Sequence, residues 1–122
     1  MKRSNVIPEL LSERYEQLKA LRAAEDLQIS LAESRIATDV EKSFVSERIR
    51  QLQESLEASK PAAEAIINSF SGDPQTWNFM RLRYILGYSW VDIAFSLKLE
   101  EITIKSRVYR AFQKAASAEK QS

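Results

Sequence analysis

Thr103, Ser106, Arg107, Arg110 and Lys114 are the residues of this chain whose types and spacing carry chemistry. At about 100° per residue they fall on one stripe of a helix. Hydroxyls and cations on one exposed helical face can meet base edges and phosphates when that helix lies in a major groove. The same stripe also describes the solvated face of an ordinary helical hairpin, which is the competing reading from pattern alone.

The elements that must hold this stripe are two short amphipathic helices joined by a tight turn. Gly87 is free to take the positive φ that ends a preceding helix. Ser89 can accept a hydrogen bond from a free amide at the start of the next helix, and Asp92 three residues on forms a capping-box-like pair with it. Val91, Ala94 and Phe95 recur at helical spacing; a broader face would use Trp90, Ile93, Ala94 and Leu97. Lys98, Leu99 and Glu100 form the connector, with Leu99 as its apolar anchor. The second helix is expected from about Glu101 to Ala116, with Ile104, Val108, Ala111 and Ala115 on its inner face. Ile102, Tyr109 and Phe112 form a second apolar flank, expected to pack on the N-terminal helices, on the helix of Trp77 or on a second subunit.

GYSWVDIAFSLKLEEITIKSRVYRA, residues 87–111, resembles region 4 of bacterial sigma factors and its one-domain relatives. The shared pattern is Gly87, Ser89, Asp92, Ile93, Ala94 and Leu97, then Thr103, Ile104, Lys105, Ser106, Arg107, Arg110 and Ala111, without a gap. Residues 82–87, LRYILG, resemble the end of the helix that precedes that motif. The layout, a coiled N-terminal half ending in RYILGYSWVDIA, also resembles small regulators encoded by phages and prophages. The resemblance implies a helix-turn-helix whose second helix reads DNA. It implies Thr103, Lys105, Ser106 and Arg107 at the groove and Arg110, Lys114 and Lys98 on phosphates. Region-4-like domains also bind RNA polymerase, so a protein-interaction module is the alternative. Arg83 and Asp92 match family positions for an arginine and an acid, and are expected to form a structural ion pair.

Two positions depart from that family. Lys98 stands where the turn usually has glycine, so it must adopt a strained φ or alter the turn. Glu100 replaces the usual hydroxyl cap and Glu101 follows it. Acids suit a helix N-terminus through the dipole and repel phosphate, although glutamate can accept a hydrogen bond from cytosine.

Composition bounds the rest. The 122 residues include two glycines, three prolines and no cysteine or histidine, which argues for an all-α protein without disulfides, thiol chemistry or histidine-ligated metal. No cofactor is expected. The carboxylates read as solvated helix faces, and there is no glycine-rich phosphate loop, so an enzyme is not expected. No apolar run approaches a membrane span and no signal-peptide core follows the first five residues, so a cytoplasmic protein is expected. The net charge of +1 conceals an asymmetry: residues 1–75 carry −3 and residues 76–122 carry +4. The basic excess lies with the motif but is small, so two copies would bind nucleic acid better than one.

Along the chain, residues 1–7 are expected to fray and Pro8 to start a helix over 9–34. Leu11, Tyr15 and Leu18 form its first stripe, which then blurs. A bend is placed at Ala37-Thr38-Asp39, with Thr38 or Asp39 as a cap. The next helix, 39–59, carries a heptad seam of Val45, Ile49, Leu52 and Leu56. Fold-back on the first helix and pairing with another subunit are both open. The expectation is a coiled-coil-like hairpin that also pairs with a second copy as a homodimer. Pro61 is expected to break or kink the chain, which divides it into residues 1–60, an interaction segment, and 61–122, the reading domain. Gly72, Asp73 and Pro74 mark a stop and a new start before a helix over 75–86, and the chain is expected to fray from Ala116.

Overall fold

The computed structural model describes residues 6–121, over which the chain is all-helical. Its elements are α1 (Glu9–Glu33), α2 (Asp39–Asn68), α3 (Pro74–Tyr84), α4 (Trp90–Leu97) and α5 (Glu101–Gln121). Residues 1–5 and Ser122, where fraying was expected, lie outside the described residues.

α1 follows Pro8, whose carbonyl accepts from the amides of Leu11 and Ser12. Thr38 opens α2 with a reciprocal capping box. Its hydroxyl accepts from the Glu41 amide at 3.1 Å, and the Glu41 carboxylate accepts from the Thr38 amide at 2.9 Å. The Thr38 amide bond, followed by the Thr38 hydroxyl, which donates to the same carboxylate at 3.0 Å, holds the Glu41 carboxyl below its ordinary range.

α1 and α2 run antiparallel, as their cross-links show: Gln17 donates to Ser55 at 3.0 Å and Gln28 to Ser46 at 3.1 Å. The heptad seam Val45, Ile49, Leu52 and Leu56 is buried within the chain. The outer face of α2 is laced by the exposed pairs Arg50–Glu47 and Arg50–Glu54.

α2 does not break at Pro61. It continues to Asn68, so the expected division between residues 60 and 61 falls inside a helix. Proline removes only its own amide, which the Glu57 carbonyl would have accepted, and crowds that carbonyl. One turn away, Arg14 bridges three helices. Its Nη1 donates to the Leu56 carbonyl and to Ser59 Oγ, both at 2.7 Å, and its Nε donates to the Tyr84 carbonyl at 2.8 Å. Arg14 is 3% exposed. Burial lowers its pKa, and Glu64 and Glu57 partly oppose that.

One core joins both sides of the expected division: Leu11 of α1, Ala63 and Ile67 of α2, and the inner faces of α3, α4 and α5. Val6 and Ile7 pack against it, so the chain is already ordered before α1. α5 likewise runs past Ala116 to Gln121.

Phe112 corrects the expected faces of α5. It is buried in the core, edge-on to Phe70 at 5.1 Å and to Tyr84 at 6.5 Å, whereas Ala115 is exposed. The α2–α3 connector, through Phe70, and α3 pack on that side of α5, which brings Phe112 into the buried stripe.

α3 is capped by Asp73, with Pro74 in its first turn, and ends at Tyr84 rather than at Leu86. The amide of Tyr88 returns to the Leu82 carbonyl at 2.9 Å across Gly87, whose φ is +82°. A Cβ at Gly87 would lie 2.9 Å from the Leu18 Cβ, so both the turn and the approach of α1 require glycine.

Replacing Arg14 by Ala leaves two main-chain carbonyls and Ser59 without this donor inside the protein. Urea unfolding should show a loss of about 2–4 kcal/mol. Arg14→Lys should recover little of it, because an ammonium lacks the planar fork that serves three acceptors.

Candidate functional site

α4 and α5 are built from short-range signals that the sequence carries. Ser89 Oγ accepts from the Asp92 amide at 3.1 Å and opens α4. Ile93 and Ala94 are buried and Trp90 packs on the core, so the inner face follows the broader expected set except for Leu97, which is 43% exposed. Val91 and Phe95 face outward, 60% and 86% exposed. α4 ends at Lys98, which takes the left-handed conformation, φ 58° and ψ 43°. Of the two expected outcomes the strained φ is the one adopted, a strain that glycine would not meet. The Leu99 amide then closes back on the Ala94 carbonyl at 3.0 Å.

α5 starts one residue after Glu100, whose carbonyl accepts from the amides of Thr103 and Ile104. Ile104, Val108 and Phe112 bury its inner face. The expected site residues then separate into groups. Thr103, Ser106, Arg107 and Arg110 line one cleft of about 390 Å3, together with Ile102. Arg107, Arg110 and Lys114 line a second groove of about 660 Å3, whose opposite wall includes Asp73 and Thr76 from the start of α3. Lys105 and Lys98 border neither cleft. Lys105 pairs with Glu101 at 3.8 Å, four residues back, and Lys98 is exposed at the turn.

Arg107 is tethered. Its Nε donates to Thr76 Oγ1 at 3.2 Å, and its Nη2 lies 3.6 Å from Asp73 Oδ2. Asp73 in turn caps α3, accepting from the Thr76 hydroxyl at 2.7 Å and from the Thr76 amide at 3.4 Å. The Thr76 hydroxyl bond, followed by the amide bond and the Arg107 charge, holds the Asp73 carboxyl below the usual aspartate range. Arg107 is still 45% exposed, so the same side chain faces both the cap and the groove.

Arg83 does not pair with Asp92. Its guanidinium lies over the Tyr15 ring, 3.4 Å from the centroid, and over Trp90 at 4.5 Å. Tyr15 reaches it from α1, an approach with no signature in the local sequence. Arg83 Nε is buried without a hydrogen-bond partner among the described residues. The adjacent Tyr84 hydroxyl is pushed up to about 12 by burial, against the charge and hydrogen bond of Arg83.

Ile102 and Gln113 share the outer face of α5 with Ser106, at spacings that a helical wheel makes visible. Ile102 is 64% exposed and Gln113 is exposed. Ile102, Tyr109 and Phe112, one apolar flank in the sequence, have different fates. Phe112 is core, Tyr109 is half-buried, and Ile102 points to the cleft.

Comparison of the chain with protein-family models, with curated proteins and with solved structures returns no match. Among the described residues no helix is long and apolar enough to cross a membrane.

Lys98→Gly should stabilise the protein by about 1 kcal/mol in urea unfolding, since glycine meets no Cβ clash at this φ. Asp73 gives a pH signature. Its folded pKa is depressed, so its contribution is complete above the ordinary aspartate value of about 3.9 and disappears as the pH falls through the folded value. Asp73→Asn keeps a capping side chain and loses the carboxylate. The acid side of its stability profile should be flatter than that of the wild type below about pH 4.

Proposed function

We propose that this chain is a sequence-reading protein of double-stranded DNA, a transcription regulator of the phage type that acts in the cytoplasm. On this reading α4, the Lys98 turn and α5 form a helix-turn-helix unit of the sigma region 4 kind, with α5 in the major groove. The observation that carries it is the face of α5. Thr103, Ser106 and Arg110 share a cleft with Arg107, and Arg110 and Lys114 extend the basic line along the helix.

Thr103 and Ser106 meet base edges. Arg110, Lys114 and Lys98 meet phosphates, and Arg107 is held by the α3 cap beside them. Lys105 neutralises Glu101, which eases the approach of phosphate to that end of α5. No cofactor enters this reading.

A second copy supplies the charge that one chain lacks. α1 and α2 form a coiled-coil-like hairpin whose seam is consumed internally, and the apolar surface left over lies toward its bend. Val40 and Phe44, one turn apart on α2, are 78% and 75% exposed there, and Ile36 stands out from the connector. We assign the homodimer contact to that end.

A second reading rests on α4. Val91 and Phe95 form an exposed apolar pair beside Asp92, a surface suited to protein rather than to phosphate. It describes a module that binds RNA polymerase or another transcription component without reading DNA. A polymerase pull-down that survives loss of Arg110 and Lys114 but not Phe95→Glu favours it.

Fluorescence anisotropy on mixed-sequence duplex DNA tests the leading reading. Binding should weaken with salt, and Arg110→Ala/Lys114→Ala should lower the salt slope by about 2, one for each phosphate contact. Absence of binding at low salt refutes it. Light scattering after size exclusion should give a dimer for the wild type and a monomer for Val40→Glu/Phe44→Glu; an unchanged mass sends the contact elsewhere.

A further inference from the structure

We infer that Ile102 is a specificity-determining residue that recognises the methyl group of a thymine in the major groove; this rests on the DNA-reading proposal above. The observation is an apolar side chain where a solvated helix would place a polar one. Ile102 is in the first turn of α5 and is 64% exposed. It takes no part in the core, whose α5 members are Ile104, Val108 and Phe112 with Ala111 beside them.

Its neighbours define what it faces. The cleft of about 390 Å3 that it lines is otherwise made of Thr103, Ser106, Arg107 and Arg110. A protein partner buried on this patch would have to desolvate two guanidinium groups, whereas DNA supplies the matching charge. Near the N-terminus of a groove-lying helix the side chains come closest to base edges. The C5-methyl of thymine is the apolar group offered there, and isoleucine offers no hydrogen bond that would suit the other edge positions. Thr103 and Ser106 supply hydroxyls that accept or donate beside it, so the cleft fits an edge with one methyl and adjacent polar atoms. Lys105 holds Glu101 at 3.8 Å, which keeps that acid engaged at the same end of the helix.

The test starts from a duplex selected from a randomised library by the full chain, then resynthesised with deoxyuridine replacing each thymine in turn. That exchange deletes one methyl and keeps the base pair. For the wild type, one position should lose about three- to fivefold in affinity, the factor that burial of one methyl is worth. Ile102→Ala should bind the thymine duplex more weakly by a similar factor and should not distinguish thymine from uracil at that position. Ile102 is exposed, so circular dichroism should show an unchanged melt for the variant. If Ile102→Ala keeps the full wild-type preference, or if no thymine in the selected site is sensitive, the inference is overturned and DNA reading stands. If no duplex is enriched and none binds at low salt, DNA reading falls and the role of Ile102 with it.

Discussion

The guanidinium of Arg14 is the contact on which the arrangement of helices depends. It is a buried cation with no carboxylate in hydrogen-bond reach among the described residues, and it donates instead to the carbonyls of Leu56 and Tyr84 and to the Ser59 hydroxyl. Burying an unpaired charge is costly, so the site holds only while every donor finds its acceptor. The Tyr84 carbonyl lies at the C-terminal end of α3, where the peptide dipoles concentrate negative potential, which favours a cation there. The Leu56 carbonyl lies one turn before Pro61, in the stretch of α2 where proline disturbs the regular ladder. One side chain thus ties α1 to α2 and to α3. The N-terminal helices and the candidate reading unit are thereby fastened together, and α1 is part of what orients α3.

α3 then orients α5. Asp73 caps α3 through Thr76, and Arg107 of α5 closes on both residues. Two weak, partly solvated contacts would contribute little alone. They sit beside a packed ring of Phe70, Tyr84 and Phe112, and there they fix rotation more than they add stability. A rotation of α5 about its axis would carry Thr103 and Ser106 away from the cleft they share with Arg110. Arg107 therefore has a structural role whatever the outer face of α5 binds.

Local signals were legible in the sequence because their physics is local. A cap at Thr38 or Asp39, the Asp73 and Ser89 caps, the positive φ of Gly87 and the buried pair Ile104 and Val108 each follow from a few neighbouring residues. The strained turn at Lys98 was one of the two outcomes the sequence left open. What failed depends on distant chain. Pro61 reads as a break or a kink, and the break does not occur: α2, packed along α1, runs through it to Asn68. Phe112 reads as a flank that packs on a neighbour such as the helix of Trp77, where it does meet Tyr84, but its place in the core depends on Phe70 of the α2–α3 connector. Arg83 reads as an ion-pair partner until Tyr15 arrives from α1. The outer face of α5 was legible in its polar members and illegible in Ile102. An exposed apolar residue and a buried one look alike in sequence until the neighbouring helices decide the rotation.

That decision leaves two surfaces of opposite character on adjoining helices. α4 turns Val91 and Phe95 outward, and α5 turns out hydroxyls and cations with a single isoleucine among them. The turn between them is held by a lysine in a conformation that glycine would adopt without strain, so a positive charge stands at the junction at a local cost. On the DNA-reading proposal that charge borders the phosphates, and the apolar face of α4 is left free for protein. The two readings of function then concern different faces of two packed helices and rest on different residues. Substitutions on α4 and on α5 should separate them, because the core between Ile93 and Ile104 holds the two helices together in either case.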